Sequence, residues 1–255
     1  MKVPLHLVRA RRQQLAEWMQ QHGHVSLQEI CARFGISEAT ARRDLAALVA
    51  EKQIVRTYGG ALADYNRRFA SFHERQQLSA EAKVSMAQAA RTFVRPGSTL
   101  FMDAGTTIYA LAEALARDPL PSLEVVTNNL PVAELLASTA GVRVHLLGGE
   151  LLPRQSTLAG KAALASLGSY RIDTAFLSAE AMDATGLWNS QDDIAAFQQW
   201  VIACAETTIF CVDSAKLGRI APSFLTGWKP VKALVSDASS EALTAHGIPA
   251  RLHFT

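Results

Sequence analysis

Ser37-Glu38-Ala39-Thr40-Ala41-Arg42-Arg43-Asp44-Leu45, running on to Leu48 and Val49, is the stretch whose reading decides the front of this chain. The Ser37 hydroxyl suits a helix N-cap, because it can accept a bond from an otherwise orphaned backbone N–H. Ala41, Leu45 and Leu48 then fall on one face. With that face buried and a step of about 100° per residue, Arg43 points away from it. Ala39 and Ala47 stand beside Arg43, and Thr40 and Arg42 lie on the flanks. Small residues beside an arginine let a helix approach duplex DNA closely enough for guanidinium groups to reach phosphates or a guanine edge. An ordinary amphipathic helix with a solvated charged side fits the same letters.

The residues before and after weigh on that choice. Leu15, Trp18 and Met19 have helical spacing within 9–21, and Gly23 is a plausible stop. Ser26 caps a second short helix, 27–34, in which Leu27, Ile30, Cys31 and Phe34 recur at intervals of three and four. Gly35-Ile36-Ser37 makes the tight turn of a helix-turn-helix. Beyond it, 54–58 alternates like a short strand and Gly59-Gly60 ends it in a turn, which adds a wing. The candidate DNA contacts are Ser37, Thr40, Arg42 and Arg43 on the second helix, with Arg56 and Tyr58 on the wing.

Two parts fit 255 residues of which 49% are hydrophobic. The net charge of +2 is modest for a nucleic-acid binder, but it is unevenly placed. Residues 1–60 carry nine Lys/Arg against five Asp/Glu, 61–78 three against two, and 79–255 thirteen against sixteen. A cationic head on a neutral-to-acidic remainder is the pattern that phosphate contacts require. The domains expected are a winged helix-turn-helix over 1–60, a linker over 61–78 with Phe69, Phe72 and Arg75 as anchors, and an effector-binding domain over 79–255. No apolar run reaches the length of a membrane span, and Arg9, Arg11 and Arg12 interrupt any signal-peptide core, so a soluble cytoplasmic protein is expected. Cys31, Cys204 and Cys211 have no metal-ligand spacing and read as reduced core residues. No metal and no cofactor is expected.

From Glu81 the pattern changes to helices alternating with short apolar runs. The candidate strands are 99–102, 123–126, 142–147, 172–177, 208–212 and 231–235, with helices over 105–117 and 130–137. Such runs predict a Rossmann-like α/β domain whose mainly parallel sheet is buried on both faces. Ligands in such sheets bind beyond the carboxyl ends of the strands, so the residues after each strand are the candidates.

Asp103-Ala104-Gly105-Thr106-Thr107 opens a helix after the first strand, and reads either as a phosphate cradle or as a plain capped turn. Thr127-Asn128-Asn129 follows the second strand and Gly148-Gly149-Glu150 the third. Asp213-Ser214-Ala215-Lys216 follows the fifth, its lysine either an anion donor or a solvated side chain. Arg154 and Lys161 add charge that spacing does not assign. Together these clusters point to a small, anionic, hydroxyl-rich ligand.

In that order, Thr40-Ala41-Arg42-Arg43-Asp44-Leu45, Tyr58-Gly59-Gly60-Ala61, Asp103-Ala104-Gly105-Thr106-Thr107, Thr127-Asn128-Asn129, Leu147-Gly148-Gly149 and Asp213-Ser214-Ala215-Lys216 closely resemble the DeoR family of bacterial sugar-catabolism regulators. The resemblance implies a repressor, less often an activator, whose C-terminal domain is similar to ribose-5-phosphate isomerase and binds a phosphorylated sugar. It assigns Asp103, Gly105, Thr106, Thr107, Asn128, Gly149 and Lys216 to the effector, and Arg42 and Arg43 to DNA. Thr127, Asn129, Gly148, Glu180, Asp183 and Trp188 complete the expected effector set. The chain departs from the family pattern at Ala41, where a larger aliphatic residue is usual, in the glycine-poor 178–183, and at Gln198, where a lysine or arginine is frequent. Gly186-Leu187-Trp188-Asn189-Ser190 resembles members that regulate L-fucose use, whose effector is a 6-deoxyketose 1-phosphate. There Trp188 would be an apolar wall, although core packing accounts for a tryptophan equally well.

Two functions follow. The first is a regulator with operator DNA, a phosphorylated sugar and a second copy of itself, in a dimer or tetramer, as partners, and with no membrane partner. The second is a phosphosugar isomerase with a fused DNA head, with Glu180 or Asp183 as general base and Lys216 steadying an enediolate.

Overall fold

A computed structural model describes residues 4–22, 25–51, 54–57, 60–63 and 70–254, and divides the chain into two compact units, Met1–Phe69 and Ala70–Thr255.

The first unit is helical with a small sheet. Its elements are α1 (Leu5–His22), β1 (Val25–Ser26), α2 (Leu27–Phe34), α3 (Glu38–Ala50), β2 (Ile54–Thr57) and β3 (Gly60–Ala63). Ser26 and Glu29 form a reciprocal capping box at the start of α2. Gly35, at φ 60°, closes α2 in the left-handed region where a side chain is strained. Ser37 then caps α3 by accepting from Thr40 N at 3.4 Å. Leu15, Met19, Ile30, Ala41, Leu45, Leu48 and Ile54 make one buried core, so the helical spacing seen in the sequence is the face that packs. The wing is a hairpin rather than a single strand: β2 pairs antiparallel with β3, and β3 also takes β1. The stretch expected as a linker therefore begins with part of this sheet.

The second unit opens with α4 (Phe72–Gln77) and α5 (Ala80–Arg91), so the expected linker also ends in a helix, one whose Phe72 is buried. Next come β4 (Thr99–Met102), α6 (Thr106–Arg117), β5 (Leu123–Thr127), α7 (Leu130–Ala137), β6 (Val142–Leu146), β7 (Glu150–Leu152), β8 (Thr157–Ala159) and α8 (Lys161–Leu167). The chain continues through β9 (Ile172–Leu177), β10 (Ala181–Asp183), β11 (Gly186–Asn189), α9 (Asp192–Cys204), β12 (Ala205–Cys211), β13 (Ser223–Thr226), β14 (Ala233–Val235), α10 (Ser240–Ala245) and β15 (His253–Phe254).

Seven strands form one sheet in the order β15-β14-β12-β9-β4-β5-β6, and every pair in it is parallel. Successive side chains of a strand point to opposite faces, and here each face has its own core. Leu100, Met102, Val125, Phe176 and Ile209 pack with Met86 and Ala90 of α5 and with Ile108, Leu111 and Leu115 of α6. Phe101, Val126, Ala175, Leu177 and Phe210 pack with Leu167 of α8 and with Phe197 and Val201 of α9. Burial on both faces explains why these strands read as continuous apolar runs. Two elements the sequence did not suggest are antiparallel: the β7–β8 hairpin and the β10-β11-β13 sheet.

β4 is first in sequence but central in space. The chain leaves it toward β5 and β6, then returns to place β9 on its other side, so the crossover direction reverses between β4 and β9. In sheets of this kind the crevice at that switch point, beyond the carboxyl ends, is where ligands bind. One smaller expectation is corrected: of the three cysteines only Cys211 is in the core, since Cys31 is half-buried and Cys204 is exposed at the end of α9.

Candidate functional site

In the first unit, α3 presents Ala39, Arg42, Arg43 and Ala46 outward while Ala41, Leu45 and Leu48 are buried. Arg43 donates to the Ala39 carbonyl at 3.1 Å, and Arg42 lies 3.3 Å from Glu38 in an exposed pair one turn apart. Exposed pairs of this kind are worth little, so both guanidinium groups are at hand for another partner. Ser37 caps the helix, its hydroxyl 3.0 Å from that of Thr40. Arg56 lies on β2 but its side chain is outside the described residues, as is the whole of Tyr58.

The sequence reading missed Asp44. It is 1% exposed and takes Arg11 at 2.7 Å and Arg12 at 2.9 Å, which ties α1 to the recognition helix. Two of the nine cations in the positive count of residues 1–60 are thus committed to the fold. The signal was present: Asp44 occupies an apolar position of the 41, 44, 45, 48 stripe, and a buried carboxylate needs cations.

In the second unit the clusters after β4, β5, β6, β9 and β12 all line the carboxyl edge of the sheet. Hydrogen bonds join them in series. Lys216 Nζ donates to the Ala179 carbonyl at 2.7 Å, Ser178 N reaches Asp103 at 3.4 Å, and Thr127 Oγ1 donates to the Met102 carbonyl at 2.6 Å. Leu158 N donates to the Asn128 carbonyl at 2.7 Å, and Leu147 N to the Thr127 carbonyl at 2.8 Å. Strands are spaced by about 4.8 Å, so β12 and β6 are roughly four spacings, about 19 Å, apart. One small ligand does not span that edge, and the β4–β9 crevice is its middle.

At the crevice, Asp103 is buried and receives Gln198 Nε2 at 2.5 Å. Gln198 also donates to the Ser178 carbonyl at 2.8 Å and accepts from Asn189 at 2.7 Å. Loss of hydration pushes the Asp103 carboxyl up to about 7, against the opposing pull of its hydrogen bonds from Gln198, Ala104 and Ser178. With a neutral amide at position 198, hydrogen bonds offset only part of that burial cost. Beside Asp103, Gly105 (φ 147°) begins α6, whose first turn has no side-chain cap. The φ of Gly105 lies in the region that favours glycine, and a Cβ there would also meet the Ser178 hydroxyl at 2.6 Å and turn it aside. Helix starts without caps present N–H groups and the positive dipole end.

Cations lie near this turn. Lys216 is 3.7 Å from Asp213. Lys83, not anticipated from sequence, is 5% exposed and donates to the Arg75 carbonyl at 2.5 Å and to the Leu78 carbonyl. Its pKa is lowered chiefly by burial and further by the charges of Lys216 and Arg75, while Asp213 and Glu180 act in the opposite sense. Thr106 Oγ1 points to the same Arg75 carbonyl, 3.5 Å away.

Several expected effector residues are committed to the scaffold. Thr127 accepts from Asn129 N at 3.0 Å, and Asn129 caps α7 through Val132 N at 3.1 Å and holds the Ser156 carbonyl. Gly149 is a glycine because a Cβ there would stand 2.4 Å from the Ala159 carbonyl, whereas Gly148 faces open space. Asp183 Oδ1 accepts from Thr185 N, Thr185 Oγ1, Gly186 N and Trp188 Nε1, and so organises the β10–β11 turn. Trp188 stacks edge-on against exposed Phe224, 5.0 Å away. Asn128 differs from these: its Nδ2 reaches the Leu158 carbonyl at 3.3 Å, but its buried Oδ1 has no partner among the described residues. Thr107 is buried, and Glu180 half-buried with its N–H on the Trp188 carbonyl.

A hollow of about 370 Å³ lined by Ser122, Leu123, Glu124, Gly141, Val142 and Arg143 lies at the amino edge of β5 and β6, where Glu124 and Arg143 pair with each other at 3.1 Å. Among the described residues no group of three His, Cys, Asp or Glu is placed to hold a metal, and no helix is long and apolar enough to cross a membrane.

Two family models match. Residues 11–67 match the DeoR-like helix-turn-helix domain, and residues 78–238 the DeoR C terminal sensor domain. The glycerol-3-phosphate regulon repressor of Escherichia coli (strain K12) is 32% identical over 248 residues, covering 95% of this chain and 98% of that protein. The lactose phosphotransferase system repressor of Lactococcus lactis subsp. lactis is 31% identical over 211 residues, 82% of this chain and 83% of that one. Among solved structures, a D-ribose-5-phosphate isomerase in complex with phospho-erythronic acid is similar at TM-score 0.40 and 19% identity, over 54% of each chain.

Proposed function

The chain belongs to the DeoR family of transcriptional regulators, and from that premise we propose a repressor of a carbohydrate operon whose hold on its operator is set by a phosphorylated sugar bound in the β4–β9 crevice. The phosphate goes to the uncapped first turn of α6, at Gly105, Thr106 and Thr107, with Lys216 as counter-charge. The sugar hydroxyls face Asp103 and the vacant acceptor Asn128 Oδ1. Relatives named for glycerol-3-phosphate and lactose phosphotransferase regulons support a phosphorylated effector.

The observation that carries this reading is the charge arrangement at the switch point: a buried carboxyl without a cation of its own, beside an uncapped helix start and a lysine. Together they suit a ligand that is anionic at one end and hydroxylated at the other. Arg42 and Arg43 face the operator from α3, and two heads on one two-fold operator call for at least a dimer.

The isomerase alternative has less support. Its candidate base Asp183 already receives four donors on one oxygen within its own hairpin, and the relatives are named as regulators. Incubation with aldose and ketose phosphates is expected to leave them unconverted.

Thermal melting against hexose 1- and 6-phosphates, pentose phosphates and glycerol 3-phosphate, with the free sugars as controls, tests the site. A true effector at a hundred times its Kd stabilises by about 2.7 kcal/mol, roughly 5–10 °C for a unit of this size. Lys216→Met is expected to remove most of that rise. No response to any phosphate, or an undiminished response in Lys216→Met, contradicts the placement.

A further inference from the structure

We propose that Lys83 is a positioning residue of the effector site, which holds the carboxyl end of α4 against the first turn of α6, so that an anion bound at that turn acts on the segment by which the DNA head is attached. This rests on the placement of the effector phosphate at α6.

The local geometry is built for that job. α4 is the first element after 64–69, the stretch that leads from the head. A six-residue helix in isolation is not stable, so its position is set by what grips it. Contacts among the described residues do so. Phe72, buried, meets Tyr109 of α6 edge-on with ring centres 5.4 Å apart. The last-turn carbonyl of Arg75 receives Lys83 Nζ and also Thr106 Oγ1. The C-cap carbonyl of Leu78 receives Lys83 as well. An ammonium on helix-end carbonyls is favoured by the dipole, and at Arg75 it adds a charged donor to a carbonyl that already accepts from Leu78 N at 3.2 Å.

The turn that brings Lys83 there carries strain. Ser79 has φ 50°, a left-handed conformation unfavourable for a residue with a side chain, and it starts α5 without a side-chain cap. That reversal lets Lys83, one turn into α5, reach back to α4.

The Arg75 carbonyl oxygen therefore joins the donors of α5 and α6 on one acceptor of α4. Thr106 belongs to the turn where the phosphate is placed. A phosphate oxygen is a stronger acceptor than a carbonyl, so it draws the Thr106 hydroxyl and the third Lys83 hydrogen toward itself and weakens the hold on α4. A ligand shifts an equilibrium only through unequal contacts with two states, and these are unequal contacts.

Amide hydrogen exchange of the full-length protein, with and without the sugar phosphate that most raises its melting temperature, tests the proposal. In the wild-type chain, ligand is expected to slow exchange in 105–109 and to speed it in 72–78. In Lys83→Met, which keeps an unbranched stem without the ammonium, 72–78 is expected to exchange about tenfold faster without ligand and to stop responding to ligand, while 105–109 is still protected. Lys83→Arg retains the charge and restores part of the response. If 105–109 is protected but 72–78 does not respond in wild type, or still responds fully in Lys83→Met, the role of Lys83 is wrong and the effector site stands. If no phosphate protects 105–109, the site fails and this inference with it.

Discussion

Replacing Asp103 by asparagine should stabilise the second unit at alkaline pH and progressively less as the solution is acidified. The carboxyl is fully enclosed, and its pKa rises from 3.8 to about 7 because burial disfavours the anion more than its hydrogen bonds favour it. A raised acid binds its proton in the folded chain over a range in which the unfolded chain has released it. Stability is therefore highest below the unfolded value, falls as pH rises through the window from about 4 to 7, and is level above it. Three units at about 1.4 kcal/mol each give a penalty of about 4 kcal/mol at pH 8. Between pH 5 and pH 8 the growth is about 3 kcal/mol, or roughly 6–10 °C of melting temperature for a unit of this size. Asparagine has nearly the same shape and can accept from Gln198, so whatever constant offset it introduces does not vary with pH. The assay is thermal melting of wild type and Asp103→Asn across pH 5–8, following the transition of the larger unit. The difference between them should widen with pH in favour of the mutant. Parallel curves, or a difference that narrows with pH, would show that Asp103 is ionised throughout and that Gln198 and the backbone suffice to hold the anion.

Further predictions concern the scaffold and the head. Asp44→Ala removes charge-assisted bonds from both Arg11 and Arg12 and should destabilise the first unit by about 2–4 kcal/mol; urea unfolding of the head measures it, and a loss under half a kilocalorie would mean the clamp is idle. Gly149→Ala sets a Cβ against the Ala159 carbonyl at a φ of 138° and should cost about 2 kcal/mol or more; an unchanged melting temperature would contradict the assigned close approach of β8. Arg43→Ala should weaken operator binding by about 1–3 kcal/mol. If Arg43 reads a base, sequence preference flattens, whereas a phosphate contact lowers affinity evenly and reduces the salt slope. Unchanged binding removes it from the interface.

The parts of the fold legible in sequence are those whose signals are local. α2 and α3 announce themselves through Ser26, Gly35 and Ser37 and through apolar residues three and four apart. The parallel strands are visible because burial on both faces leaves them apolar throughout. The antiparallel additions are not, because β10, β11 and β13 have three or four residues each, Asp183, Gly186 and Asn189 stand at the ends of the first two, and β13 joins them from more than thirty residues away. β12 and β14 shift by a few residues from the apolar runs for a related reason: where a strand begins is set by its neighbour's register.

The site follows the same division. Its location was readable, since strand ends fix the carboxyl edge and the polar clusters stand there. Which polar residues remain available was not. Thr127 and Asn129 look like ligand groups but close hydrogen bonds within the scaffold, and Asp183 closes a hairpin. Gln198 was noticed only as a departure, although it lies against Asp103 from 95 residues away in sequence. Lys83 gave no sign in its spacing, because its partners are the carbonyls of a different helix.

The central claim is that a phosphorylated sugar in the β4–β9 crevice sets the grip of the head on DNA, and operator affinity measured by fluorescence anisotropy across the sugar-phosphate panel tests it most directly. A member that binds should change operator Kd by about 5- to 150-fold, a coupling of about 1–3 kcal/mol, and Lys216→Met should reduce that change. A sugar phosphate that binds the protein tightly while leaving operator Kd untouched would contradict the account.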